Sequence, residues 1–457
     1  MQGQTTIFDL LYPKYKITKP IRLIEFFGGY GSQALALKYL GVEFEHWKLC
    51  EWAVKSIQAY KDIHFIDDNF DYSQPFNIDT LKRFLYNKGI SSNYNEPMTR
   101  QQINRLNEKQ IRTIYNNIVS TNNLVNIQQV KGKDLEIVRK DIYDYVLTYS
   151  FPCQDLSLAG KGKGMSDTST RSGMLWEVER ILSECKELNS LPQILLMENV
   201  PQVHGEGNVE DFNKWQLRLE ELGYKNYWED LIATDYGIPQ TRNRCFMVSI
   251  LGDYSYSFPK PIKLELKLKD MLEDNVDEKY FISDKMLNCF LSESKDSKFP
   301  RKERFLQTFN ATNEKGIAAT ITTCAGTRAT DNFIKEETLK KELCNKLIQD
   351  NLVKEYDVIK HAYSKQILDG NKKCVERTDG NMITLTTRGD CVGTCVNDSG
   401  NLRIRKLTPR ECFRLMGVKD EDFDKVKKNQ SDMSLFHLAG DSIVVNVLMA
   451  IFKELLW

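Results

Sequence analysis

Residues 21–41 read IRLIEFFGGYGSQALALKYLG. IRLIEFF has the look of a buried strand, GGYG is a tight turn, and SQALALKYLG carries apolar residues at helical spacing until Gly41 closes it. Strand, glycine turn and helix in that order open an α/β unit. FEHWKLC (44–50) supplies a second strand and AVKSIQAYK (53–61) a second helical pattern, so the alternation predicts a parallel sheet. Further strands are expected at YDYVLTYS (143–150), QILLMEN (193–199), YKNYWEDLIA (224–233) and RCFMVSIL (244–251), with helices over Leu175–Cys185 and Val209–Leu222. The fold class is therefore α/β, a doubly wound, mostly parallel sheet of six or seven strands with a second, smaller domain.

The sheet defines a first domain over residues 1–251. Within it, 67–121 turns polar and Asn/Gln-rich, with helical patches such as NRLNEKQIRTIYNNI and no strand alternation, and reads as an insertion. After Gly252 the chain changes to Lys/Glu-rich pieces, Pro259, Pro261 and short Thr-rich segments, which marks a second domain over 252–401. It contains an approximate echo: GIAATITTCAGTR (316–328) and NMITLTTRGDCVG (381–393) each suggest a T-x-T strand leading into a glycine turn and an arginine. The last part, 402–457, is helical and strongly apolar and is expected to return to the first domain.

The chain has 457 residues with 63 Lys+Arg against 63 Asp+Glu, which excludes a uniformly basic protein that coats nucleic acid by bulk charge. Hydrophobic residues make up 41% and charged residues 28%, the balance of a globular chain with a sizeable core. No run approaches the ~18 consecutive apolar residues of a membrane span, and the first residues show no basic region followed by an apolar one, so a cytoplasmic protein is expected. The 11 cysteines are scattered, and only Cys391 and Cys395 lie close together. Free thiols without a structural metal are the expectation.

In FFGGYGSQA, Gly29, Gly31 and Ala34 fit G-x-G-x-x-A, and Glu51 ends the next strand, where a carboxylate can accept both hydroxyls of a ribose. Trp52 offers a flat face to an adenine, although a core tryptophan would look the same. These features point to a nucleoside ligand and leave the chemistry open. Cys153, in FPCQDLS, follows a strand at the sheet edge where open α/β sheets bind ligands. An isolated cysteine is more often a buried core residue, but the glycine-rich, basic stretch AGKGKGMSDTSTRSG (159–173) that follows suits a closing loop. Glu198 ends the apolar strand QILLMEN, a costly place for a carboxylate without partners or work, with a salt bridge or turn cap as the plain alternative. Arg242 and Arg244, two apart and leading into a strand, could bind a planar ring oxygen and a phosphate, although arginines two apart are usually solvated.

A cysteine, a glutamate and an arginine pair at strand ends beside a nucleoside turn form a specific constellation, and here the sequence resembles the cytosine-C5 DNA methyltransferase family of bacterial or phage type. The resemblance rests on EFFGGYGS, CEW (50–52), SFPCQDLS, MENV (197–200), YGIPQTRNR, RKLTPREC (405–412) and AGDSIVVNVL (439–448), and it covers most of the chain in family order. It implies S-adenosylmethionine as methyl donor, held by Phe27, Gly29, Gly31, Glu51 and Trp52, with Asn126, Ile127, Pro152, Leu175, Asp441 and Ser442 around it. It implies that Cys153 attacks C6 of a flipped-out cytosine while Glu198 contacts N3 and the amine, that Arg242 binds O2, and that Arg244 supports it. The loop 155–172, with Lys161, Lys163 and Arg171, would close over double-stranded DNA. Thr322, Arg328, Thr386 and Arg388 are candidates for base or phosphate contacts in the second domain, against an ordinary solvated hairpin. A monomer is implied, with any restriction endonuclease acting as a separate partner.

The sequence departs from the family in three places. Asn126 stands where an adenine-binding Asp is expected, Asp441 stands where Asn is usual, and the 67–121 insertion has no family role. Three rival readings remain open at this point: a dehydrogenase built on the same glycine turn, a catalytically silent DNA-binding module, and a transfer-RNA cytosine methyltransferase.

Overall fold

The computed structural model describes residues 12–152, 172–283, 286, 289, 301–323, 325–336, 358–360, 375–377, 391–394 and 403–457. Six strands form the main sheet: β1 (Ile21–Phe26), β2 (Phe44–Cys50), β3 (Asp144–Tyr149), β4 (Ile194–Asn199), β5 (Tyr224–Ile232) and β6 (Asn243–Leu251), in the order β2-β1-β3-β4-β6-β5. β1 pairs in parallel with β2 and β3, and β3 with β4, whereas β6 is antiparallel to both β4 and β5. Only β6 is reversed. Residues 233–242, which join it to β5, hold a single 3-10 turn (Ala233–Tyr236), and a parallel return would need a crossover of a dozen or more residues. The start of β6 therefore lies at the edge where β4 ends, with Glu198 paired to Phe246 and Asn199 to Cys245.

The helices of this unit in chain order are α1 (Ser32–Leu40), α2 (Val54–His64), α3 (Ile78–Lys88), α4 (Arg100–Asn104), α5 (Glu108–Ser120), α6 (Leu175–Glu187) and α7 (Val209–Leu222). β3 and β4 are buried at every position, as central strands covered on both faces must be. Ile24 and Phe26 join the core formed with Val178, Ile181, Phe212 and Trp215 of α6 and α7. Glu25, on the opposite face by the strand's period of two, accepts hydrogen bonds from the Ala34 amide of α1 (3.4 Å) and the Tyr60 hydroxyl of α2 (2.5 Å). Its burial pushes that carboxyl up to about 7.

The insertion folds as α3, α4 and α5 around its own core, which includes Leu81, Leu85, Ile103, Ile111 and Ile118. Its Asn/Gln-rich composition goes largely into helix ends. Thr99 with Gln102 and Asn107 with Gln110 form reciprocal capping boxes, and Asn77 caps α3. Each such cap contributes about 1 kcal/mol.

The chain divides into two compact units, one of residues Met1–Leu272, Gly316–Ala325 and Pro409–Trp457, the other of Glu273–Lys315 and Gly326–Thr408. The expected division at 252 is therefore displaced, because the following residues remain bonded to the first unit: Ser255 N donates to Pro13 O, and Ile262 N to Asp235 O. Residues 316–323 also differ from expectation. They form no T-x-T strand, because their backbone bonds go to the β5–β6 connection: Thr241 N donates to Ala318 O and Ala318 N to Pro239 O. In the second unit α8 (Arg301–Glu314) accompanies β7 (Phe333–Glu336), and Phe305 and Phe333 share a small core with Ile404. β8 (Val358–Lys360), β9 (Val375–Arg377) and β10 (Cys391–Thr394) form a three-stranded sheet, and β11 (Arg403–Lys406) pairs antiparallel with β7.

The chain then returns to the first unit as α9 (Pro409–Leu415), α10 (Asp420–Lys427), α11 (Asp432–Asp441) and α12 (Val445–Leu456). Asp432–Leu456 is long and apolar enough to cross a membrane by composition, but it is mostly buried, broken after Asp441, and packed through α12 against α1.

Candidate active site

The turn after β1 is built for close backbone approach. Phe27 and Gly29 both take left-handed conformations (φ 56° and 57°), and the Phe27 amide donates to Cys50 O (2.8 Å). This aims the Gly29 amide at Glu51, whose carboxylate accepts from Gly29 N (3.0 Å) and Ala53 N (2.7 Å). Burial pushes the Glu51 carboxyl up to about 7 against the pull of those two amides. Gly31 has another reason to lack a side chain: a Cβ there would lie 2.4 Å from His64 Nε2 and 2.7 Å from Tyr60 Cε2, so it serves helix packing.

A cavity of about 240 Å³ opens from this turn. Its lining includes Phe27, Gly29, Glu51 and Trp52 from and after this turn, Val125, Asn126 and Ile127, and Pro152 and Met174. Asn126 is held there by its role as a cap, its Oδ1 accepting from Gln128 N (3.1 Å). The chain before it is tied to Glu51, since Asn123 exchanges bonds with both Glu51 N (3.1 Å) and Glu51 O (2.9 Å). Leu175 does not line the cavity. It is fully buried at the start of α6 within the sheet core, and its neighbour Met174 forms the wall. Ser442 faces a smaller adjoining cleft with Phe27, Gly29 and Asp441, where its hydroxyl accepts from Tyr30 Oη (2.8 Å) and donates to Ala439 O (3.0 Å).

Glu198, Arg242 and Arg244 line the same cavity. Arg244 Nε lies 3.1 Å from Glu198 Oε1. Burial raises the Glu198 carboxyl above its ordinary range, with Arg244 and then Arg242 opposing the rise. The two arginines are held differently. Arg242 is buried and donates to three carbonyls, those of Ile321 (3.2 Å), Gly440 (3.0 Å) and Ser442 (2.7 Å), so its guanidinium ties together three separate stretches of chain. The reversed β6 carries Arg244 past these carbonyls to Glu198. Asn199, which the motif reading passed over, donates from Nδ2 to Phe151 O (3.0 Å) and so fixes the chain two residues before Cys153.

Cys153, the loop residues Lys161, Lys163 and Arg171, and Thr386 and Arg388 lie outside the described residues. Thr322 and Arg328 fall in different units. The backbone of Thr322 and Thr323 packs so closely on Gly440 that a Cβ there would lie within 2.5 Å of it, while the Arg328 amide donates to Asp331 Oδ2 (2.7 Å) in the second unit. Tyr94, Asn95 and Ser56 also line the cavity, and neither the glycine turn nor any motif signals them.

A family model described as C-5 cytosine-specific DNA methylase matches residues 83–457. The chain belongs to the C-5 cytosine-specific DNA methylase family. It is 31% identical to the type II methyltransferase M2.ScrFI of Lactococcus lactis subsp. cremoris, over 95% of this chain and 99% of that one. It is 36% identical to the orphan methyltransferase M.SssI of Spiroplasma monobiae, over 65% of this chain and 76% of that one. A solved Entamoeba histolytica methyltransferase, EhMeth, matches with a TM-score of 0.55 over 96% of this chain and 98% of its own at 14% identity, a likeness of fold. The protein is a DNA cytosine-C5 methyltransferase that uses S-adenosylmethionine, and the Rossmann-like sheet is that of such enzymes. Membership removes the dehydrogenase reading.

The residues present suit this cofactor. Glu51 offers a carboxylate to a ribose diol, Trp52 a ring to a purine, and the open turn at Gly29, where a Cβ would meet nothing within 4 Å, leaves room for the ligand against the backbone.

Proposed function

We propose that the cavity holds S-adenosylmethionine at its Glu51–Trp52 end and receives a flipped-out cytosine of double-stranded DNA at its Glu198–Arg244 end, with Cys153 as nucleophile. The observation that carries this reading is a single cavity lined both by Glu51 and Trp52, after the glycine turn, and by a buried, arginine-paired carboxylate, Glu198. The bound cofactor supplies an electrophilic methyl group.

The chain's own residues do the rest. C5 of cytosine is a weak nucleophile until C6 is attacked, so the Cys153 thiolate adds to C6 and breaks the 5,6 double bond. Glu198, whose burial favours its protonated form, gives a proton to N3, and the ring becomes an enamine with electron density at C5. Arg244, held beside Glu198, bonds O2, a role better supported for it than for Arg242 with its three carbonyls. After methylation a water molecule or hydroxide takes the C5 proton, the C–H electrons reform the 5,6 double bond as the C6–S bond breaks, Cys153 leaves as thiolate, and the N3 proton returns to Glu198. Asn199 and Pro152 stiffen the turn that presents the thiol.

The curated relatives are named as type II or orphan methyltransferases, which supports DNA over transfer RNA and is compatible with or without a separate cognate restriction endonuclease. We read the enzyme as a cytoplasmic monomer whose second unit selects the sequence. Bisulfite sequencing of DNA from cells expressing the wild type and Cys153→Ala tests the reading: methylated cytosines at a defined sequence are expected in the first and none in the second. Methylation by Cys153→Ala would overturn it.

A further inference from the structure

The 67–121 insertion has no part in the chemistry just described, yet its loop after α3 reaches the cavity. Residues 91–96 are stitched onto the segment that follows Glu51: Ser91 N donates to Trp52 O (2.7 Å) and Val54 N to Ser91 O (2.9 Å). Asn93 Oδ1 then accepts from the amides of Asn95 (3.0 Å) and Glu96 (3.2 Å), which turns the chain inward. Tyr94 is held at the apex in a left-handed conformation (φ 63°), unfavourable for a bulky residue, and Tyr94 and Asn95 line the cavity with Glu51, Trp52 and Ser56. The Tyr94 ring stacks on His437 of α11 (centroids 3.9 Å apart, planes 16°), and His437 Nδ1 lies 3.2 Å from Asp441 Oδ2, another cavity residue.

The link extends into the insertion's core. Val125, which lines the cavity, is a member of that core, and Trp52 packs against it. The two segments that would flank an adenosine are thus braced by α3–α5, and the Tyr94–His437 stack closes the wall between Glu51 and Asp441. The Tyr94 hydroxyl is buried and makes no hydrogen bond of normal geometry, although Ser56 lies beside it. A buried hydroxyl in the wall of a ligand cavity is an available partner for a polar ligand atom.

Resting on the assignment of the cofactor to this cavity, we propose that the insertion is a cofactor-retaining element, with Tyr94 as its contact: the ring packs on the nucleoside of S-adenosylmethionine and the hydroxyl bonds a polar atom of it. Strain at Tyr94 is tolerated because the ring must stand at that place.

The test is calorimetric affinity for S-adenosylhomocysteine and S-adenosylmethionine, with thermal melting, for the full-length wild type, Tyr94→Ala, Tyr94→Phe and Trp52→Ala. Losing a packed ring and its hydroxyl should weaken binding about tenfold in Tyr94→Ala, and losing the hydroxyl alone by about threefold in Tyr94→Phe. Dissociation of the labelled cofactor should quicken in the same order. If Trp52→Ala loses affinity while Tyr94→Ala binds as the wild type does, the insertion is only a structural brace and the proposal fails, whatever happens to melting. If neither substitution changes affinity, the assignment of the cofactor to this cavity fails with it.

Discussion

Arg244 Nε stands 3.1 Å from Glu198 Oε1 because β6 runs against its neighbours, bringing the start of one strand to the end of another. In the proposed mechanism the Glu198 carboxyl gives its proton to cytosine N3. Glu198→Gln keeps the shape and cannot deliver that proton, so single-turnover methylation should fall by about 10²-fold or more. Cofactor affinity by calorimetry should be unchanged; equal losses in both would make Glu198 a structural carboxylate.

The same pair sets a pH dependence. Glu198 must be protonated to act, so the rate should decline as pH rises through its elevated pKa. Arg244 lowers that pKa, hence Arg244→Ala should move the alkaline limb to higher pH while reducing the maximum. A limb that stays in place in single-turnover profiles would detach it from Glu198.

Arg242 should matter for stability more than Arg244. Arg242→Ala leaves the buried carbonyls of Ile321, Gly440 and Ser442 without their donor, a loss of roughly 2–5 kcal/mol. Arg244→Ala should cost less, since Glu198, whose burial already favours its neutral form, can take up a proton when its partner is lost. Urea denaturation of both variants measures the difference, and equal losses would contradict the division of roles.

Glu51 should make cofactor binding sensitive to acid. In the proposed site it accepts a ribose diol as a carboxylate, and burial pushes its carboxyl up to about 7. Affinity should therefore fall as pH drops below 7, by up to about tenfold per unit. Binding near pH 7 should release protons, visible as a buffer-dependent calorimetric enthalpy. In Glu51→Gln the affinity should be weak and flat with pH.

The parts of this fold that repeat a pattern were legible in the sequence. β1, β3, β4 and β6 follow apolar-rich runs, and α7 ends where Gly223 takes a left-handed φ. Glu51 and Glu198 were legible because an acid after an apolar strand needs a reason. The direction of β6 rests on the brevity of 233–242, a feature no residue pattern marks. The partners of Arg242 were hidden for a related reason. It precedes the strand, so alternation does not govern where it points, and Gln240 beside it is bonded to Ile321 N and Leu415 O. Tyr94 was invisible because its partner His437 comes from the other end of the chain.

Asn126 offers a gain of function. Its Oδ1 already caps the turn at Gln128 N, and Asp caps equally well, so Asn126→Asp should leave that turn intact. A carboxylate there adds a charge-assisted bond to the amine of an adenine, which should tighten cofactor binding by about three- to tenfold. The new charge joins Glu51 and Asp441 around one cavity and raises the cost of ionising each of them. The gain should accordingly be largest near pH 8, where Glu51 is ionised in either protein, and shrink toward pH 6. Calorimetric titration with S-adenosylmethionine at both pH values measures it. An affinity unchanged or weaker at pH 8 would mean that Asn126 faces some part of the ligand other than the adenine amine.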